Sequence, residues 1–238
     1  MKTGFNVQLL IIDPQNDFMD EANASLRVAG ATADMKRLAA FVARAGKKLS
    51  DIHVTLDSHR VIDVGHPGFW RNQNGNSPQP FTMIKSDDIA NGIWSPRDPA
   101  LVPRMLSYAK ELEQNGQYNI MVWPEHCLIG SSGHNVQPDL LATLQAWERS
   151  EYASINYVTK GTNIYTQHYG ALQAEVPDPK DPDTSLNSDL LLMMQQADLI
   201  AVGGEASSHC VLSTVNQIAA NIGQEHIKKF VLLTDCMS

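Results

Sequence analysis

The sequence predicts an α/β fold with a central, mainly parallel sheet. Short apolar runs alternate along the chain with longer segments of helical periodicity, as in proteins built from strand–helix–strand units. The first run, VQLLII at residues 7 to 12, is almost continuously apolar, which is typical of a parallel strand covered on both faces. Right-handed crossovers would place the helices on the faces of this sheet.

The positions of the individual elements follow from apolar spacing and from residues that favour helix ends and turns. Besides the first strand, we expect strands at residues 52–56, 118–123, 155–159, 199–202 and 230–233. We expect helices at residues 35–46, 101–114, 138–151, 186–196 and 209–222. Residues 60–117 are predicted to form a loop-rich insertion after the second strand, with little regular structure in residues 60–100. The aromatic residues of this insertion argue against disorder.

Length and composition restrict the class of protein. The chain has 238 residues, of which 43% are hydrophobic, so residues 1–238 are expected to form one large domain. A formal net charge of -8 argues against a nucleic-acid partner, which needs clustered Lys and Arg. No apolar stretch approaches the thickness of a bilayer, so we expect no membrane partner. The three cysteines are too few and too scattered for a disulfide framework, which fits a reducing compartment and predicts a cytoplasmic protein.

Polar residues that follow the predicted strands are the candidates for function. In open α/β sheets the ligand crevice lies beyond the carboxyl ends of the strands. Asp13 follows the first strand, Asp57 and His59 follow the second, Lys160 follows INYVT, and Cys210 follows the strand at 199–202. Because these strand ends meet at one edge of the sheet, an acid, an amine and a thiol are expected near one crevice. Such a set is suited to nucleophilic catalysis.

Cys210 is the candidate nucleophile. It falls in the predicted first turn of a helix, where exposed backbone N–H groups and a nearby Lys160 ammonium would favour the thiolate. Asp13 would accept the thiol proton, and the amides of Ala206 and Cys210 would hold a developing oxyanion. Taken singly, each residue has a simpler explanation. Cys210 would be a buried apolar residue, Lys160 a surface lysine, and Asp13 a turn residue or helix cap. We expect the remaining cysteines, Cys127 and Cys236, to be structural because they lack comparable companions.

A second group of residues has the chemistry of a metal site. Asp57 and His59 are two residues apart after a strand, and His66 and His126 follow in GHPGFW and WPEHC. One carboxylate and several imidazoles are suitable ligands for Zn²⁺ or a similar divalent ion. Each histidine alone is more simply explained as a hydrogen-bonded loop residue. The other histidines lack this support: His134, His168, His209 and His226.

Aromatic residues lie near these motifs in the sequence. Phe18, Phe69, Trp70 and Trp123 can either form the walls of a pocket for a flat ring or pack in a core under the long insertion. For Trp70 the sequence favours neither alternative.

Taken together, these stretches resemble the isochorismatase-like cysteine hydrolases and, among them, the nicotinamidases. The matching stretches are LLIIDPQNDF, TLDSHRVIDVGHPGFW, VWPEHCLIGSSGH, NYVTKGTN and GGEASSHCV. They run from the first strand into the last third of the chain. The whole set in this order is specific, whereas any single stretch is not.

The resemblance implies a Rossmann-like three-layer α/β/α fold and an Asp-Lys-Cys triad at Asp13, Lys160 and Cys210. It also implies oxyanion donors at the amides of Ala206 and Cys210, and a cis peptide between Glu205 and Ala206. Together these features predict a small-molecule amide substrate.

The same resemblance assigns a divalent metal, expected to be zinc. Its ligands would be Asp57, His59 and His126, with His66 at the position of a further ligand in some members. Phe18 and Trp123 match positions that line the nicotinamide pocket. A homo-oligomer is also implied.

Two departures from the family affect these expectations. The segment between the histidine of GHPGFW and the tryptophan of WPEHC is longer than in compact nicotinamidases, so it is expected to reshape the pocket or to form a subunit interface. Family members continue beyond the last strand, so we expect a longer native chain or a partner at that edge.

The predicted activity is cleavage of a small carboxamide to acid and ammonia through a cysteine thioester. Four alternatives remain: the same chemistry on another amide or carbamoyl substrate, a metal-hydroxide hydrolase in which the cysteine is a bystander, a non-catalytic binding protein, and vinyl ether hydrolysis of the isochorismate type. The presence of both the cysteine and the metal set disfavours the last.

Overall fold

The structure, a computed structural model, describes residues 4–238. Its strands are β1 (Val7–Ile12), β2 (Asp51–Asp57), β3 (Trp70–Arg71), β4 (Thr82–Ile84), β5 (Ser95–Pro96), β6 (Ile120–Val122), β7 (Asn156–Lys160), β8 (Leu199–Gly204) and β9 (Phe230–Leu232). The central sheet has five parallel strands in the order β7-β2-β1-β8-β9. This confirms the predicted α/β fold with a parallel central sheet.

Helices cover both faces of the sheet. They are α1 (Ala31–Ala45), α2 (Ser86–Ala90), α3 (Val102–Gln114), α4 (Pro138–Glu151), α5 (Ser188–Gln195), α6 (Leu212–Asn221) and α7 (Gln224–Ile227). Side chains of β1 alternate between two apolar clusters: Leu9 and Ile11 pack with α1 and α4, whereas Leu10 and Ile12 pack with α5 and α6. Both faces of β1 are therefore buried, which explains its unbroken apolar sequence.

The insertion is more regular than its sequence predicts. It contains two helices, α2 and α3, and three short strands, β3, β4 and β5. β3 pairs with β5, and β4 pairs with β6 just beyond the insertion, both antiparallel. Trp70, Met105 and Leu112 are fully buried in a third apolar cluster. Residues 60–100 thus contain a few short regular elements, although most of this segment lies outside strands and α-helices. Strands of two or three residues are too short to show a period in sequence, and the cluster beneath them stabilises them instead.

The predicted strand at residues 118–123 also needs a correction. Its ordered part, β6, pairs antiparallel with β4 and lies outside the central sheet. Ile120 and Val122 are buried in the apolar cluster of the insertion rather than against the sheet. The strand was correctly located, but its partner lies in a segment that the sequence did not show to be regular.

Two aromatic residues of the insertion are now assigned to this cluster. Trp70 is fully buried, and its indole Nε1 donates a hydrogen bond to the Val64 carbonyl at 2.8 Å. Phe69 is buried beside it, with ring centroids 5.1 Å apart. Both therefore pack in the core beneath the insertion and do not line a ligand pocket.

The helix predicted at residues 209–222 begins differently from its prediction. Residues Ser207–Val211 form one π-helical turn that leads into α6, and the short α7 follows after Gly223. A π-turn widens the start of the helix, and such turns are frequent at functional sites. Within residues 4–238, no helix combines the length and the apolar character that crossing a bilayer requires.

Candidate active site

The sheet brings Asp13, Lys160 and Cys210 together. Asp57 at the end of β2 is in register with Lys160 at the end of β7, and Ile12 at the end of β1 is in register with Gly204. Lys160 Nζ lies 2.9 Å from Asp13 Oδ2 and 3.6 Å from Cys210 Sγ. The three groups are buried, with exposed fractions of 0%, 2% and 7% in the order given. The acid, the amine and the thiol thus converge as the strand-end argument predicts.

Hydrogen bonds hold the Asp13 carboxylate in place. The Thr55 hydroxyl donates to Asp13 Oδ1 at 2.5 Å and accepts a hydrogen bond from the Asp13 amide at 3.0 Å. The neighbouring Gln15 side chain bonds to both backbone groups of Asp57, at 2.7 Å each. These contacts connect the ends of β1 and β2, so the carboxylate is fixed before any substrate arrives. Gln15 was not identified from the sequence, although it lies in the DPQNDF stretch.

Lys160 connects the triad to a second carboxylate. Its ammonium also contacts Asp57 Oδ1 at 3.0 Å and donates to the His168 carbonyl at 3.1 Å. Burial lowers the pKa of Lys160, but the carboxylates of Asp13 and Asp57 together raise it well above its usual range. The two carboxylates therefore favour a positive charge on Lys160 beside the sulfur.

Opposing effects act on the ionisation of Cys210. Burial raises the pKa of its thiol well above the ordinary range, and Lys160 only partly opposes this effect. Burial likewise raises the pKa of Asp13 despite the adjacent Lys160. Burial thus opposes the thiolate that the helix start and one cation favour. The Asp13 carboxylate beside the sulfur is more basic than usual, which suits it to accept the thiol proton.

The turn after β8 explains the glycines in GGEASSHCV. Gly204 has a φ of 126°, and a Cβ there would overlap the backbone of Ile12, so only glycine allows this close approach. The peptide between Glu205 and Ala206 is cis, as the resemblance implies. The Ala206 carbonyl accepts hydrogen bonds from the amides of two residues of the π-turn. Ala206 and Cys210 both line the same cavity, where their assignment as oxyanion donors remains a prediction.

Asp57, His59 and His126 form a cluster with the geometry of a metal site. Asp57 Oδ2 lies 3.0 Å from His59 Nε2 and 3.4 Å from His126 Nε2, and the three potential ligand atoms lie within 4.8 Å of one another. The outer nitrogens are also held: His59 Nδ1 contacts Asp63 Oδ2 at 3.1 Å, and His126 Nδ1 contacts the Pro124 carbonyl at 2.8 Å. Such outer contacts orient imidazoles towards a metal.

The charges of this cluster also suit a cation. Burial opposes a positive charge on His59, yet Asp57 and Asp63 raise its pKa to about 10. Two carboxylates therefore stabilise positive charge at the point where the ligand atoms meet. One carboxylate and two imidazoles are ligands that Zn²⁺ accepts. The residues present thus fit a divalent ion.

His66 adjoins this cluster without facing its centre. Its Nε2 lies 3.3 Å from His126 Nδ1, and its Nδ1 lies 3.0 Å from the Arg60 carbonyl. Burial lowers the pKa of His66 to about 4, so its imidazole is neutral and able to act as a ligand. Its assignment as a further ligand remains a prediction.

A cavity of about 550 Å³ opens onto both groups of residues. Cys210, Asp57, His59 and His126 line it, and the predicted pocket residues Phe18 and Trp123 line it as well. The sequence missed four further aromatic or imidazole residues of its wall: Phe81, His168, Tyr169 and His209.

Comparison with known proteins supports the fold. No protein-family model matches the sequence, and no curated protein sequence matches it. Among solved structures, the Acinetobacter baumanii nicotinamidase/pyrazinamidase has a TM-score of 0.62 at 19% identity, with 100% of this chain and 86% of that chain covered. The yeast nicotinamidase has a TM-score of 0.60 at 19% identity, with coverages of 91% and 82%. The chain has the nicotinamidase fold.

A third structure with this nicotinamidase fold is relevant to the metal site. The Pyrococcus horikoshii pyrazinamidase, solved in complex with zinc, has a TM-score of 0.53 at 15% identity, with coverages of 98% of this chain and 86% of that chain. At such identities the likeness extends to the fold alone, so the site must be argued from the residues of this chain.

The residues missed by sequence reasoning did carry weak signals. His209 adjoins the candidate nucleophile in sequence, and its ring contacts those of Trp123 and Tyr169 with centroids 5.4 and 6.0 Å apart. Tyr169 follows the NYVTKGTN stretch within one loop, and its hydroxyl accepts a hydrogen bond from Trp123 Nε1 at 3.1 Å. Nothing in the sequence around Phe81 indicated a place in the cavity.

Proposed function

We propose that this protein is a nicotinamidase-like amidohydrolase that cleaves a small carboxamide to an acid and ammonia through a cysteine thioester. One observation carries the proposal: Lys160 Nζ lies 2.9 Å from Asp13 and 3.6 Å from Cys210 Sγ, at the end of a cavity large enough for an amide. A buried acid, amine and thiol in mutual contact cost stability, which is typical of a catalytic site.

The first half-reaction forms the thioester. As Cys210 Sγ attacks the carbonyl carbon, Asp13 takes the thiol proton, so no free thiolate accumulates. The carbonyl electron pair moves to oxygen, where the amides of Ala206 and Cys210 stabilise the charge and Lys160 supports it. Asp13 then gives its proton to the amide nitrogen, the carbon–nitrogen bond breaks, and ammonia leaves.

The second half-reaction releases the acid. Asp13, again a carboxylate, removes a proton from a water molecule that attacks the thioester carbonyl. The tetrahedral intermediate expels the sulfur, which regains the proton from Asp13. The raised pKa of Asp13 suits both tasks because a base with a pKa nearer to neutral also returns its proton readily.

Asp57, His59 and His126 would hold a divalent ion, proposed to be zinc. The ion would supply a Lewis acid to bind a ring nitrogen of the substrate and orient it. Trp123 and Phe18 would pack against the faces and edge of that ring, since both line the cavity. Asp57 also touches Lys160, so the metal ligands and the triad share one fixed carboxylate.

Release of ammonia from nicotinamide and related amides tests this proposal. The purified protein is incubated with a panel that includes pyridine, aliphatic and N-carbamoyl amides, and ammonia is measured by a coupled assay. Trapping of an acyl group on Cys210, detected by mass spectrometry, would identify the thioester. Full turnover by Cys210→Ala would rule out the cysteine route.

A metal-hydroxide hydrolase is the second candidate, because Asp57, His59 and His126 converge in the same cavity as Cys210. In that mechanism Cys210 only lines the wall. Thiol alkylation separates the two: it abolishes activity in the cysteine mechanism, whereas the metal-hydroxide route survives alkylation by a small reagent and is lost on chelation.

Two further proposals concern the protein in its cell. We propose that it is a homo-oligomer of the cytoplasm that binds a small-molecule amide and neither nucleic acid nor membrane. Size-exclusion chromatography with light scattering measures the oligomer directly. A monomer at micromolar concentration would contradict the first part.

A further inference from the structure

Phe81 stands out in the insertion because of its backbone. Its φ is 69°, a left-handed conformation that is rare for a bulky residue. The Thr82 amide donates to the Gln79 carbonyl at 3.2 Å, so residues 79–82 form a turn with Pro80 second and Phe81 third. Turns of this type take glycine or asparagine at the third position. Phenylalanine there costs stability, so its presence calls for a compensating contact.

The other non-glycine residues with positive φ support a functional cause. Among the described residues they are Asp13, Cys127 and Tyr152. Tyr152 ends α4, where a left-handed residue is common. Asp13 belongs to the triad, and Cys127 directly follows the candidate metal ligand His126. Residues in strained backbone conformations that are not explained by a helix end cluster at functional sites.

The position of Phe81 indicates what it contacts. Its ring is 62% exposed, yet it lines the active-site cavity and stands edge-on to Trp123, with centroids 5.9 Å apart. The Phe81 amide donates to the Val122 carbonyl at 2.5 Å, and β4 and β6 pair directly beyond it. This strand pair fixes the backbone of Phe81 relative to that of Trp123. The Phe81 ring therefore extends from a fixed point at the exposed rim of the cavity.

The size of the cavity shows that a substrate can reach this ring. A carboxamide with one six-membered ring displaces about five waters, or roughly 150 Å³ at about 30 Å³ per water. The cavity holds about 550 Å³, so such a substrate beside Cys210 and the metal ligands would leave most of the volume empty. Phe81 lines this cavity, so a larger substrate can extend to its ring.

From these observations we propose that Phe81 is a specificity-determining residue that packs against the outer part of a substrate larger than one ring. The inference rests on the amidohydrolase function proposed above and names its substrate class: aromatic carboxamides with a second ring or a flat substituent. The inner wall around Trp123 holds the ring that carries the amide. Phe81 closes the outer end, where a one-ring substrate makes no contact.

Two amides and three variants test the proposal. The kcat/KM of quinoline-3-carboxamide is divided by that of nicotinamide for the wild type, Phe81→Ala, Phe81→Gly and the control Ile93→Ala. Ile93 belongs to the same insertion, is 51% exposed and does not line the cavity. We expect Phe81→Ala to lower the ratio roughly two- to tenfold through loss of one ring contact, and Ile93→Ala to leave it unchanged.

Thermal unfolding separates this role from a structural one. Phe81→Gly relieves the left-handed strain, so its Tm should equal or exceed that of the wild type while the ratio falls. A ratio that is the same in wild type and Phe81→Ala would overturn the proposal. A Phe81→Gly Tm several degrees below the wild type would overturn it too, since Phe81 would then be held by packing.

Binding distinguishes failure of this inference from failure of the proposed function. Calorimetric titration of both amides into Cys210→Ala, with and without Phe81→Ala, needs no turnover. In a protein that has no amidase activity, the larger amide could bind more tightly than nicotinamide only when Phe81 is present. That result would support the inference and refute the proposed function. If Phe81→Ala changes neither the turnover nor the binding of the two amides, only the inference is refuted. If neither amide binds, both the inference and the proposed function are refuted.

Discussion

The crevice of the central sheet and the insertion differ in structure and in what they contribute to the site. The crevice takes its chemistry from the ends of parallel strands, where Asp13, Lys160 and Cys210 meet because the register of the sheet aligns them. The insertion forms a separate apolar cluster under short antiparallel strands and places one ring, Phe81, over the same cavity. The chemistry of the site is therefore built into the sheet, whereas its outer shape comes from an added segment.

This difference predicts which property of the protein a mutation in each region will change. Substitutions at the strand ends should affect turnover of every substrate. Substitutions within the insertion should affect stability or the choice of substrate, and leave the chemical step intact.

The largest effect is expected at the nucleophile. Cys210→Ala should lower kcat by about 10⁴-fold or more on every amide, because no other group can form the thioester. The thiol is buried and small, so the circular dichroism spectrum should not change. The control Cys236→Ala, at a buried cysteine that does not line the cavity, should keep full turnover. Equal losses in both variants would show that Cys210 acts through folding.

Trp70→Ala should separate stability from chemistry. Trp70 is fully buried, and its removal leaves a cavity in the cluster of the insertion, with an expected loss of about 3–5 kcal/mol in the free energy of unfolding. Below its new Tm the variant should retain kcat for nicotinamide within a few-fold, since the triad lies on the central sheet. Urea unfolding and steady-state kinetics measure the two effects. A Trp70→Ala variant that is stable but inactive would contradict the proposed separation between the insertion and the chemistry of the central sheet.

The sequence predicted these two regions unequally well, for physical reasons. Asp13, Lys160 and Cys210 could be located because buried strands have a strong apolar signal and their ends must share an edge. The strands of the insertion could not, because two or three residues carry no period. Phe81 was missed because a strained turn has no apolar pattern. The opposing effect of burial on the pKa of Cys210 could not be read from the sequence because burial is a tertiary property.

A smaller effect is expected at the metal cluster. His126→Ala removes one of three clustered ligands and should weaken binding of zinc at least about tenfold. If the ion only orients the ring, KM for nicotinamide should rise more than kcat falls, and an aliphatic amide should be affected less. Metal content by mass spectrometry checks the first effect and kinetics the second. His226→Ala, far from the cluster in sequence and exposed in part, is the control.

The smallest effect concerns the residue that precedes the catalytic turn. Glu205 is fully buried, burial raises its pKa to about 9, and its Oε2 accepts a hydrogen bond from the Ser238 amide at 3.2 Å. Between pH 4.5, the ordinary pKa of glutamate, and about 9, the folded state holds a proton that the unfolded state loses. Stability should therefore fall as pH rises through this window. Glu205→Gln keeps the shape but cannot ionise, so its Tm should depend less on pH, with little change near pH 5 and a gain near pH 8. Parallel Tm-against-pH curves for the two proteins would show instead that Glu205 is already ionised in the folded protein.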